Sequence, residues 1–106
     1  MKVITRRPGE VAHVEDWDTI DLDAMQAAVG GLICVALRGH GYVVWCDDEG
    51  LLKQLPEINF HRPTDGEPIV GSILVTGDED DEGETTGLSD VVAVRTLARL
   101  KGEATW

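Results

Sequence analysis

Residues 32–46, LICVALRGHGYVVWC, decide the fold. Leu32 to Leu37 and Tyr42 to Cys46 are rich in β-forming residues, and Arg38-Gly39-His40-Gly41 between them supplies two glycines able to take positive φ. The stretch therefore predicts a β-hairpin. Upstream, Leu22, Met25, Gln26 and Val29 recur at helical spacing behind Asp21, a residue suited to a helix cap, and Gly30-Gly31 ends that helix. Before it, MKVIT (residues 1–5) reads as a strand closed by the Pro8-Gly9 turn. Val11, His13 and Glu15 then alternate with Ala12, Val14 and Asp16, which suits a short edge strand.

Downstream of the hairpin, Asp47-Asp48-Glu49-Gly50 is a turn, Leu51 to Leu55 fits neither helix nor strand, and Asn59 to Gly66 reads as a polar connector. Ile69 to Thr76 is a strand interrupted by Gly71, the mark of a bulge or a close backbone approach. Asp78 to Glu84 holds six acids in seven residues, so residues 78–87 are expected to form a solvated, mobile loop. A second helix is expected over residues 88–102, with Val91, Val94, Leu97 and Ala98 on its apolar stripe. Arg95, Arg99 and Lys101 complement its dipole, and Gly102 ends it. These elements predict a single α+β domain over residues 1–106, an antiparallel or mixed sheet of four to six strands with two helices.

A chain of 106 residues with 42% apolar and 27% charged content carries one core and needs no metal or disulfide to hold it. The formal charge of −11 argues against direct binding to nucleic acid or anionic membranes. Without the six charges of Asp78 to Glu84 it falls to −5. No apolar stretch approaches the ~20 residues of a membrane span, and the N-terminal residues lack a signal-peptide pattern, so the expected location is cytoplasmic.

Several constellations imitate functional motifs and fail on chemistry. Asp78, Asp80, Glu82 and Gly83 match the start of a calcium loop, but Ser89 stands where the bidentate carboxylate belongs. Gly39-His40-Gly41 joins strand to strand, so it cannot aim a helix N-terminus at a pyrophosphate. Cys34 and Cys46 make no CxxC pair, and a symmetric hairpin loop would set Cys34 against Trp45 and turn Cys46 to the other face. Two buried thiols are expected, and no spacing supports a nucleophile set of Cys46, His61 and Asp47. No catalytic residue, metal site or cofactor is expected.

The cations and aromatics of two segments carry more information. Arg38, His40, Tyr42 and Trp45 mark the hairpin, and Asn59, His61 and Arg62 the connector. In a chain with nine Lys and Arg in all, such groups suit a phosphorylated, base-containing ligand, held by charge-assisted hydrogen bonds and stacking. Trp17, Trp45 and Trp106 are many indoles for a small monomer to cover, which predicts a homo-oligomer with Trp106 at its interface.

Four stretches also fall in a shared order: MKVIT at residue 1, LDAMQAAVGGLICVAL from Leu22, CDDEGLLKQLPEIN from Cys46 and PIVGSILVTG from Pro68. Over roughly residues 1–77 the chain resembles a family of small domains of unknown function found mainly in bacteriophages, plasmids and other mobile elements. The acidic loop and last helix lie outside that shared pattern, and the family supplies no catalytic residues. The resemblance implies a mobile-element setting, where small cytosolic proteins often counter host defence. The leading expectation is a nonenzymatic anti-defence protein that sequesters a nucleotide-derived immune signal. The alternative is an acidic interaction inhibitor, or nucleic-acid mimic, that blocks a basic host protein.

Overall fold

The computed structural model describes residues 1–103 and Trp106, except for the side chains of Glu57 and Asn59. Its strands are β1 (Lys2–Arg6), β2 (His13–Asp16), β3 (Ile33–Gly39), β4 (Tyr42–Asp47), β5 (Glu57–His61), β6 (Pro68–Val70) and β7 (Ile73–Thr76). The helices are α1 (Leu22–Val29) and α2 (Asp90–Leu100). Five strands form an antiparallel sheet in the order β2-β1-β7-β4-β3, and β5 and β6 form a separate antiparallel pair. The α+β class is as the alternation of hairpins and two helical stretches predicts, and β2 lies at an edge.

Alternation along the central strands divides the core in two. Ile4, Val44, Ile73 and Val75 point to one face, where β5-β6 contributes Ile58, Phe60 and Ile69 and α2 contributes Ala93 and Leu100. Val3, Leu74 and Trp45 point to the other, against Met25 and Val29 of α1. Asp21 caps α1 by accepting from the Ala24 N–H at 2.8 Å, and Gly30 ends it in the left-handed region at φ 88°.

Four sequence expectations change. The run from Ile69 to Thr76 is two strands in different sheets, because Gly71 turns the chain at φ 77° and donates its N–H to the Pro56 carbonyl. Asn59 and His61 lie in β5 instead of a connector. The buried stripe of α2 is Ala93, Thr96 and Leu100, with Val92 and Leu97 beside it, whereas Val91 and Val94 are 59% and 70% exposed. A small, polar-containing stripe is less visible in sequence than a run of valines.

The fourth change concerns the hairpin. Its turn pairs Gly39 with Tyr42 and Leu37 with Val44, and the register shifts between Val35 and Leu37. This irregularity sets Cys34 opposite Cys46, on the same face of the sheet. The acidic segment is built as a tight turn: Glu79 bridges Thr85, Gly83 takes φ 80°, and Asp80 Oδ1 accepts from the Glu82 and Glu84 N–H groups. No helix among the described residues is long and apolar enough to cross a membrane.

Candidate functional site

On the α2 face, two depressions of about 330 and 220 Å³ share the Arg99 side chain. The larger is lined by Arg6, Glu10, Phe60, His61, Lys101 and Trp106, among others, and the smaller by His40, Tyr42, Val92 and Arg95. Sheet geometry places these groups. Tyr42 opens β4 opposite Gly39, and its ring lies so close over that residue that a Cβ there would come within 2.2 Å of it. Val92 of α2 packs over Gly41, whose φ of 79° closes the turn, and this seats the helix beside the hairpin tip.

The aromatic part of the groove is tightly built. The Trp106 ring stands edge-on to Phe60 at a centroid distance of 5.3 Å and tilted to Tyr42 at 5.8 Å. The Arg99 guanidinium lies 5.8 Å from the Tyr42 centroid and 5.6 Å from the Trp106 centroid, within cation–π range of both.

Most cations outside the groove sit in ion pairs. Lys2 pairs with Asp90, Arg7 with Glu10, Arg38 with Asp78, Lys53 with Asp47, and Arg62 with Asp65 and Glu67. Arg6, Arg95, Arg99 and Lys101, four of the chain's nine Lys and Arg, line the two depressions. Arg6 Nη1 donates to the Leu100 carbonyl at 3.1 Å, while its buried Nε has no partner among the described residues. Arg95 and Arg99 stand four residues apart on α2, a like-charge spacing that costs a helix a few tenths of a kcal/mol.

The seven residues singled out in sequence do not share one site. His40 and Tyr42 line the smaller depression and His61 the larger. Trp45 lies on the opposite, α1 face, where its Nε1 donates to Thr76 Oγ1 at 2.9 Å. Arg38 is turned to Asp78, and Arg62 lines a separate cavity beside Cys34 and Cys46. The Asn59 side chain lies outside the described residues. Sequence reading missed Arg6, Phe60, Arg95, Arg99, Lys101 and Trp106 as groove residues. Arg95 and Arg99 carried a usable signal, because a helix dipole does not require two cations in adjacent turns. Trp106 packs within its own chain, as do Trp17, whose Nε1 donates to Glu15 Oε1, and Trp45, so indole burial alone does not call for a second subunit.

Fold and groove together define a small antiparallel α+β domain with a cationic, aromatic-lined depression under its last helix. The chain belongs to the family described as domain of unknown function DUF3846, whose model matches residues 1–101. That span includes the acidic turn and α2, so both lie within the family domain and not beyond its edge at residue 77. No curated protein and no solved structure matches the chain.

Proposed function

We propose that this domain is a nonenzymatic binding protein that holds a nucleotide-class ligand, anionic and ring-bearing, in the groove under α2. The observation that carries this reading is the gathering of Arg6, Arg95, Arg99 and Lys101 around the Tyr42, Phe60 and Trp106 rings, in a chain of net charge −11. Guanidinium groups favour phosphate oxygens through charge-assisted hydrogen bonds, and the half-buried Trp106 ring is the aromatic surface on which a base can pack, with Tyr42 and Phe60 buried behind it. In the mobile-element setting implied by the sequence resemblance, the protein would act in the host cytoplasm by withholding a nucleotide-derived immune signal. Withholding requires tight binding without turnover. The test is to incubate the purified protein with a panel of cyclic and linear nucleotides, release bound material by heat and identify it by mass. Recovery of an intact nucleotide supports the reading; no capture, or recovery only as cleaved product, overturns it.

A second reading has its own observation. Asp78 Oδ2 accepts from the Gly41 N–H at 3.1 Å, which ties the acidic turn to the hairpin and leaves Glu79, Asp81, Glu82 and Glu84 exposed. A fixed row of carboxylates suits the occupation of a basic groove on a host protein. Neutralising these four acids should then abolish a salt-sensitive pull-down of that partner; unchanged capture rejects the reading. If the chain self-associates, Val91 and Val94 on α2 are among the exposed apolar side chains that could serve it, with Val11, Leu51 and Leu52 elsewhere, and light scattering across a dilution series decides the matter.

A further inference from the structure

We propose that Cys34 and Cys46 form a modification site at which a low-molecular-weight disulfide oxidises the pair to a cross-strand disulfide. This rests on the hairpin and its neighbouring cavity, independently of the groove under α2.

The register makes the site. The pairs Gly39 with Tyr42, Arg38 with Val43 and Leu37 with Val44, continued unbroken, would bring Cys34 against Asp47. The shift between Val35 and Leu37 brings it against Cys46 instead, with the sulfurs 3.3 Å apart. Residues directly opposite in an antiparallel pair have Cα atoms about 4.5–5.5 Å apart, inside the disulfide range of about 4.4–6.8 Å. Side-chain rotation can therefore close the bond with little movement of the strands.

Access and order of attack follow from burial. Both sulfurs are free thiols on the wall of a cavity of about 360 Å³, lined also by Leu51, Leu52, Ile69 and Arg62. Cys34 is half-buried and Cys46 is buried. Cys34 Sγ, deprotonated, attacks one sulfur of the small disulfide, forms a mixed disulfide and expels one thiolate. Cys46 Sγ then loses its proton to solvent and attacks the Cys34 sulfur. The Cys34–Cys46 bond forms as the second thiolate leaves. Both leaving thiolates take up protons, so two protein thiols are oxidised and one disulfide is reduced to two small thiols.

The surroundings set the rate. Burial pushes the Cys34 thiol up, and pushes Cys46 up to about 12. The charge of Asp48 beside Cys34 and of Asp47 beside Cys46 acts in the same direction, and the Arg62 charge opposes it at both. The thiolate fraction is therefore small at neutral pH, and oxidation accelerates about tenfold per pH unit as pH rises towards the Cys34 pKa.

The test is intact-mass measurement of the full chain incubated with glutathione disulfide at alkaline pH and quenched in acid. The expected product is a monomer lighter by two hydrogens. Cys46→Ser should stop at a glutathione adduct on Cys34, and Cys34→Ser should react more than ~10-fold more slowly than wild type. Peptide mapping of the oxidised wild-type chain gives the linkage without any variant. A stable glutathione adduct on the wild-type chain, a disulfide-linked dimer, or thiols that remain unmodified would each overturn the proposal.

Discussion

Replacing Arg6 with methionine separates a groove that waits for an anion from one that is merely a structural seam. Arg6 is half-buried at the end of β1, with Nη1 on the Leu100 carbonyl and Nε buried without a partner among the described residues. Arg6→Met loses a charge-assisted hydrogen bond worth about 1.5–3 kcal/mol, and a favourable helix C-terminal charge worth about 0.3–1 kcal/mol. It regains about 1–3 kcal/mol by removing the unsatisfied donor while keeping an apolar stem of similar shape. The two sides nearly cancel, so ligand-free stability should change by about 1 kcal/mol or less, a shift in Tm of about 4–8 °C at most. Breaking a structural buried ion would instead cost about 3–5 kcal/mol. Thermal unfolding is followed in chloride and in pyrophosphate at matched ionic strength. At tenfold excess over Kd a bound anion stabilises by about 1.4 kcal/mol, which the wild type should show and Arg6→Met should lose. A ligand-free loss above about 3 kcal/mol, or equal pyrophosphate stabilisation of both proteins, would refute the reasoning.

Thr96 is fully buried in α2 with its hydroxyl unpartnered among the described residues, so Thr96→Val should stabilise by about 1–2 kcal/mol, read as a higher denaturation midpoint. Gly39→Ala should displace the Tyr42 ring, because its Cβ would fall 2.2 Å from Tyr42 Cζ; an unmoved Tyr42 in the variant's structure would contradict this. Glu15 is held below its ordinary value of 4.5, first by the Thr5 hydroxyl and then by the Trp17 indole N–H. Asp47 is held below 3.8 although burial pushes it up, because its hydrogen bonds to Lys53 and the Glu49 N–H outweigh burial. For such depressed carboxylates the stabilisation is present above the unfolded pKa and lost as pH falls through the folded one. Denaturation midpoints should therefore drop below about pH 4.5, and the drop should be shallower in Glu15→Gln and Asp47→Asn.

What the sequence disclosed and what it hid follow from the range of the interactions. The α1 boundaries were legible because Asp21 and Gly30 act within one turn of themselves. The hairpin was legible because glycine at positive φ is a local requirement. The cysteine pairing was not: the register shift between Val35 and Leu37 carries no proline or glycine, and moving the register by one residue changes every partner beyond it. The split at Gly71 was visible only as an interruption, because placing β6 in another sheet depends on its pairing with β5. The groove was hidden for the same reason. Arg6, Phe60 and Arg95 are distant in the chain, and only the packing of α2 and of β5-β6 on one sheet face brings them together. Their surroundings depend on that tertiary packing, which local periodicity does not report.

Isothermal titration with the nucleotide captured most strongly from the panel tests the central claim, run on wild type, Arg95→Gln and Arg38→Gln. Both arginines are exposed, one lining the groove and the other turned to Asp78 outside it. Losing one charge-assisted contact worth about 1.5–3 kcal/mol should weaken binding by about 10- to 100-fold in Arg95→Gln and leave Arg38→Gln at wild-type affinity. Wild-type affinity in Arg95→Gln with loss in Arg38→Gln would place the ligand elsewhere and contradict the account.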